Sequence, residues 1–146
     1  MTGKATRGAL ALLSLVGLQV GGWAALAPRS FYDDFPGGGR AWVAADGPYN
    51  EHLVRDFGDL NLALTAVTVI ALWTMTPVVV RAAAMAWLVY SVPHLVYHAR
   101  HIDVYDTSDQ LLNLSALGGA VVLSATAFAL SFRGTPTPST EPDQRR

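Results

Sequence analysis

The chain has 146 residues, 51% of them hydrophobic and only 14% charged, and its mean hydropathy is positive; this balance is too apolar for an ordinary soluble domain and points to a membrane class. Cysteine is absent, which excludes disulfides, thiolate metal sites, thiol catalysis and covalently attached haem. The net charge is −1 and no basic stretch is interleaved with aromatics, so nucleic acid is not an expected partner.

In chain order, the first apolar stretch is Ala9 to Leu26, followed by Leu60 to Val80, Ala82 to Tyr97 and Leu111 to Phe132. Each is near the length that crosses a hydrocarbon core. Runs such as "ALALLSLVGL" and "ALGGAVVLSATAFALSF" are apolar nearly all round, whereas a soluble bundle keeps a polar face on each helix. Lys4 and Arg7 ahead of a run ending in "ALA" at 25–27 have the outline of a signal peptide, but Pro28 is a poor residue after a cut and the run is long. It is read as a retained helix over about 9–27, with Gly17 and Gly21 offering a small-residue face and Gln19 an interhelical hydrogen bond.

The segment 28–47 is rich in Gly, Pro, Asp and aromatics and reads as a loop with turns. Its Phe31, Tyr32, Phe35 and Trp42 suit a water–lipid boundary. "PGGGR" lacks the Gly-Lys-Ser/Thr ending of a phosphate loop and reads as a turn. The second helix is expected over about 48–78, capped by Asp46 or Asn50, with Glu51 in the first turn favouring the positive end of the helix dipole. The third is expected over about 81–101 and the fourth over about 109–132. Gly118, Gly119 and Ala120 give the fourth a small-residue face for close packing. The tail 133–146 is polar and proline-bearing, with no apolar face to bury, and is expected to be a disordered cytoplasmic extension. The predicted fold is therefore all-α, a single-domain integral membrane four-helix bundle, multi-pass in the plasma (cytoplasmic) membrane.

Four spans put both termini on one side. That side carries Lys4, Arg7, Arg81, Arg133, Arg145 and Arg146 against Glu141 and Asp143, a net of about +4, which makes it cytoplasmic by the positive-inside rule. The other side carries a net of about −5 and all four histidines.

Helical positions i, i+4 and i+7 share one stripe. His94, His98 and His101 have that spacing, and Tyr90 and Trp87 continue the line; His52, Asp56 and Asp59 repeat it on the second helix, and Asp106, Gln110 and Asn113 on the fourth. At 1.5 Å per residue, Asp59 and His98 lie about 26 Å above the inner helix ends and Asn113 about 28 Å. One reading gathers His94, His98, His101, Asp56 and Asp59 round a divalent cation, with His52, Arg55, Glu51, Trp87, Tyr90, Asp109 and Asn113 around them. Imidazole with carboxylate suits Zn²⁺, Fe²⁺, Mn²⁺ or Cu²⁺. The same groups also fit a proton-linked or small-molecule site, or a structural polar network at a hydrated helix end, with Arg55 pairing to Glu51 or Asp59.

The layout of four short spans, with "VRDFGDLNLALT" opening the second, resembles the DoxX-like group of small bacterial four-helix membrane proteins through Arg55, Phe57, Gly58 and Leu60 to Leu64. The resemblance implies a membrane subunit or accessory protein of a redox or stress pathway. Three functions stay open: a metal site in redox or metal handling; a structural or assembly subunit that docks a membrane-protein partner through 28–47 or forms a homo-oligomer; and a binder of a lipid, quinone or sterol-like ligand along Trp87, Tyr90 and His94. Whether the chain is an enzyme is not decided by these residues.

Overall fold

Uninterrupted apolar, alanine- and leucine-rich runs satisfy their own backbone polar groups only as helices, and the computed structural model, which describes residues 2–133, is all-α. Its long helices are α1 (Thr2–Leu26), α4 (Glu51–Thr74), α5 (Pro77–Arg100) and α6 (Thr107–Leu130). All four are long and apolar enough to cross a membrane. Two short helices, α2 (Pro28–Asp34) and α3 (Trp42–Asp46), flank a hairpin of β1 (Pro36–Gly37) and β2 (Arg40–Ala41), so the segment expected as a loop is largely folded. The tail, apart from Arg133, lies outside the described residues.

Local chemistry sets the boundaries. The Asn50 side chain accepts from Leu53 N at 3.2 Å and caps α4, which selects Asn50 over Asp46 as the N-cap. Pro28 and Pro77 stand in the first turns of α2 and α5, where a missing N–H costs nothing. The α4–α5 link is only Met75 and Thr76, with Met75 in the left-handed region at φ 50°. The hairpin pairs Pro36 with Ala41 and Gly37 with Arg40. Its central Gly38 and Gly39 have φ of 66° and 79°, the two positive values that a tight strand-reversing turn requires.

α1 packs against α4 and α6, and α5 packs against the same two, so the order round the bundle is α1–α4–α5–α6. The closest approach is α1 on α4: a Cβ on Gly21 would sit 2.9 Å from the Gly58 carbonyl oxygen, and one on Gly17 would strike Thr65 and lie 3.1 Å from the Trp87 ring. The G-x-x-x-G pair of α1 is thus consumed inside the chain. The core has three levels, named from the terminus end. Small side chains, including Ala71, Ala83, Ala84 and Ala127, fill the first. Leu13, Leu64 and Trp87 form the second, and Ala24, Phe31 and Val54 the third, at the histidine end.

Thr65, Thr68, Thr74 and Ser124 return their hydroxyls to carbonyls of their own helices, the usual fate of such residues in a span. Every long helix exposes large apolar side chains on its outward face, among them Leu15, Ile70, Val89 and Val122. Gln19, expected to bond a neighbouring helix, is exposed instead.

Candidate functional site

A column of rings on the inner face of α5 leads from the core to the histidine end. At its base Trp87, 2% exposed, donates from Nε1 to Thr68 Oγ1 at 2.7 Å. Tyr90 meets Trp87 edge-on at 6.0 Å and accepts from Asn61 Nδ2 at 3.3 Å. His94 stacks on Tyr90 at 5.3 Å, and His98 meets His94 edge-on at 4.8 Å. Residues 87, 90, 94 and 98 follow the i+3, i+4 rhythm that holds one stripe of a helix, and Pro93 lies within α5 without ending it.

Above this column is a cavity of about 330 Å³. Its walls are Val54 and Phe57 of α4, His94 and His98 of α5, and Asn113 and Leu117 of α6; Phe31, Phe35, Trp42 and Tyr105 close it from the α2–α3 side. Asp46, Gly47, Pro48, Asn50 and Leu53 are its exposed lining residues, so its mouth lies at the α3–α4 link. The α2–α3 segment is held down over the bundle as a cap. Arg40 Nε pairs with Asp109 at 2.6 Å, and the Tyr105 hydroxyl donates to the Trp42 carbonyl at 3.2 Å. Tyr105 also approaches His98 Nδ1 at 3.4 Å. Burial, and after it the charges of Asp46, Tyr97 and Asp109, pushes the Tyr105 phenol up to about 12.

Two lining residues carry unpartnered polar atoms. Trp42, 8% exposed, and Asn113, 3% exposed, leave the indole Nε1 and the amide Oδ1 without a hydrogen-bond partner among the described residues. Such atoms are rare in folded chains.

The structure brings His94, His98, Tyr90, Trp87 and Asn113 to one region, and separates the rest of the expected set. Asp56 and Asp59 are exposed, and Asp56 pairs with His52 at 3.3 Å. The inward face of α4 is Val54, Gly58, Asn61, Thr65 and Thr68. Two residues of helix turn through 200°, so Asp56 lies opposite Val54 and Gly58, and Asp59 lies opposite Asn61. His101 fails for a different reason. α5 ends at Arg100, and His101, in a non-helical conformation, bonds the Tyr97 carbonyl at 2.8 Å and stacks on the Tyr97 ring. Glu51 is taken by Arg55 at 2.9 Å, whose other nitrogen reaches the Ala25 carbonyl. Asp109 is taken by Arg40. Among the described residues no three His, Asp or Glu side chains come together to hold a metal ion, so the five-ligand centre is not assembled.

The ring cluster of the cap is the part of the site that sequence reasoning missed. Phe31 and Phe35, one helical turn apart, meet at 4.6 Å, and Phe31 reaches Phe57 of α4 at 5.7 Å. These rings were expected at a lipid boundary. The available signals were the helical spacing of Phe31 and Phe35 and the opposite charges of Arg40 and Asp109.

No protein-family model, no curated protein and no solved structure matches the chain.

Proposed function

We propose that the chain is a multi-pass plasma-membrane protein with both termini cytoplasmic, and that its extracytoplasmic end holds a small, predominantly apolar ligand in the cavity beneath the cap. Support for insertion comes from the surface. Large apolar side chains stand exposed along all four long helices, in a number that a soluble monomer does not usually show. α4, α5 and α6 have 24 residues each, which at about 1.5 Å per residue exceeds a hydrocarbon core of about 30 Å. The terminus end carries a net positive charge and the histidine end a net negative one. The native chain is free of cysteine, so single cysteines report topology cleanly: Ala5→Cys is expected to resist, and Ser30→Cys to accept, a membrane-impermeant maleimide on intact cells. The reverse pattern rejects the orientation.

The observation that carries the ligand reading is the aromatic-walled cavity, which is concave, preformed and mostly apolar with a few converging polar groups, as small-molecule sites are. A lipid fragment, a quinone or a sterol-like molecule fits that chemistry better than a metal ion, because only His94 and His98 remain of the expected ligands. Native mass spectrometry of protein released from its own membrane tests the reading. A discrete adduct on the wild type, lost on Leu117→Trp, which fills the cavity from α6, is the expected result. A wild type free of adduct, or an adduct unaffected by Leu117→Trp, argues against it.

A further inference from the structure

We infer that the cavity takes a small organic cation, an ammonium head on an apolar body, held between the aromatic walls and the Asp46 carboxylate. This rests on the cavity being a ligand site, as proposed above. Phe31, Phe35, Trp42, Phe57 and Tyr105 line it, and neither lysine nor arginine does. Trp42 stands at 79° to Phe35 and at 62° to Tyr105, so these three rings do not form one flat wall. Clustered aromatic rings attract cations through their negative faces, and quaternary ammonium groups are recognised in this way.

Charge complementarity gives the sign. Asp46 is the one carboxylate among the lining residues, and it has no ion pair or hydrogen bond among the described residues. Three arginines of this end are already paired: Arg29 with Asp33, Arg40 with Asp109 and Arg55 with Glu51. Asp46 is exposed at the mouth, and its charge acts on Tyr105, His98 and His94 of the walls. Its field therefore reaches inside the cavity, where it attracts a cation and repels an anion. About 330 Å³ is at the small end of ligand sites, room for one ring with its ammonium head and too little for a whole phospholipid. A phosphocholine headgroup would also bring its phosphate to the carboxylate at the mouth, so the ligand is a free compound.

Benzyltrimethylammonium and neopentylbenzene have the same shape, with a nitrogen cation in one and a carbon in the other. Each is titrated calorimetrically into the full chain in nonionic maltoside micelles, with partition into protein-free micelles subtracted. The titration is run at about pH 8, above the ordinary imidazole pKa of about 6.5. Asp46→Asn is expected to weaken the ammonium about fivefold, the attraction of two unit charges about 4 Å apart in water, and to leave the hydrocarbon unchanged. Asp59→Asn, which removes an exposed carboxylate outside the cavity, should change neither. In wild type, raising the salt from about 0.01 to about 1 M should weaken the ammonium and not the hydrocarbon, so the test survives misfolding of a variant. Phosphocholine should bind more weakly than the ammonium. An ammonium affinity indifferent to salt and to Asp46→Asn, or lowered as much by Asp59→Asn, overturns the inference. Saturable binding of the hydrocarbon alone overturns it too and leaves the ligand site standing. Phosphocholine binding as tightly as the ammonium assigns the site to a lipid headgroup and overturns the free compound. Absence of saturable binding by every probe overturns both the cation and the ligand site.

Discussion

The Tyr105 hydroxyl ties the cap to the end of α5, donating to the Trp42 carbonyl and lying beside His98. Its phenol is neutral when protonated, and burial raises it from the ordinary 10.0 to about 12. The folded chain therefore holds this proton more tightly than the unfolded chain does. The resulting stability is complete below pH 10 and disappears as pH rises from 10 to about 12. Tyr105→Phe is expected to lower stability by about 1 kcal/mol at neutral pH, through the lost hydrogen bond. It should also flatten the fall of Tm across that alkaline window, and equal alkaline slopes in wild type and variant would contradict the assignment. At this scale the sequence was informative within single helices. Trp87, Tyr90, His94 and His98 share a stripe because α5 is unbroken, and that much is arithmetic. His101 left the stripe because the helix ended one residue earlier, and no strong stop signal marks Arg100.

Spacing tells which residues of a helix share a face, and it does not tell which face turns inward. On α4 two stripes competed, His52–Asp56–Asp59 and Gly58–Asn61–Thr65. Close packing decided for the second, since the absence of a side chain at Gly58 lets the backbone of α1 approach. A Cβ there would lie 2.9 Å from the Gly21 carbonyl oxygen and 3.0 Å from the carbonyl carbon of Ala24. These are backbone atoms, which cannot swing aside. Gly58→Ala is expected to destabilise by about 1–3 kcal/mol, the range for overpacking a tight contact, and to push α1 away from α4. Gly118→Ala, with nothing within 4 Å of the added carbon, should be neutral or slightly stabilising through helix propensity. Thermal melts of the two variants in one detergent make the comparison. Equal Tm values would show that the α1–α4 contact is looser than described.

For the molecule as a whole, hydropathy revealed four long helices, and counting charges between them a basic and an acidic end, because each signal is local. The cap was not legible, because its main tie joins Arg40 to Asp109, 69 residues apart in sequence. Opposite charges at that separation are two among many combinations until a fold selects them. The pair is also only partly buried, with side-chain exposures of 36% and 15%. Arg40→Ala is therefore expected to release the cap while leaving the bundle folded. Amide exchange over 28–47 should speed up several-fold, with α1, α4, α5 and α6 unchanged. Unchanged exchange in the cap would show that the aromatic contacts hold it unaided.

The link of two residues between α4 and α5, Met75 and Thr76, has a mechanical consequence for the far end. It fixes the feet of the two helices, so relative motion between them is a pivot there, and displacement grows with distance from the pivot. Over 24 residues at about 1.5 Å each, a tilt of about 5° moves the tip by about 3 Å. Any such pivot moves Phe57, His94 and His98 far more than the residues beside Met75, so the spacing of these rings is the quantity most sensitive to a small change at the base.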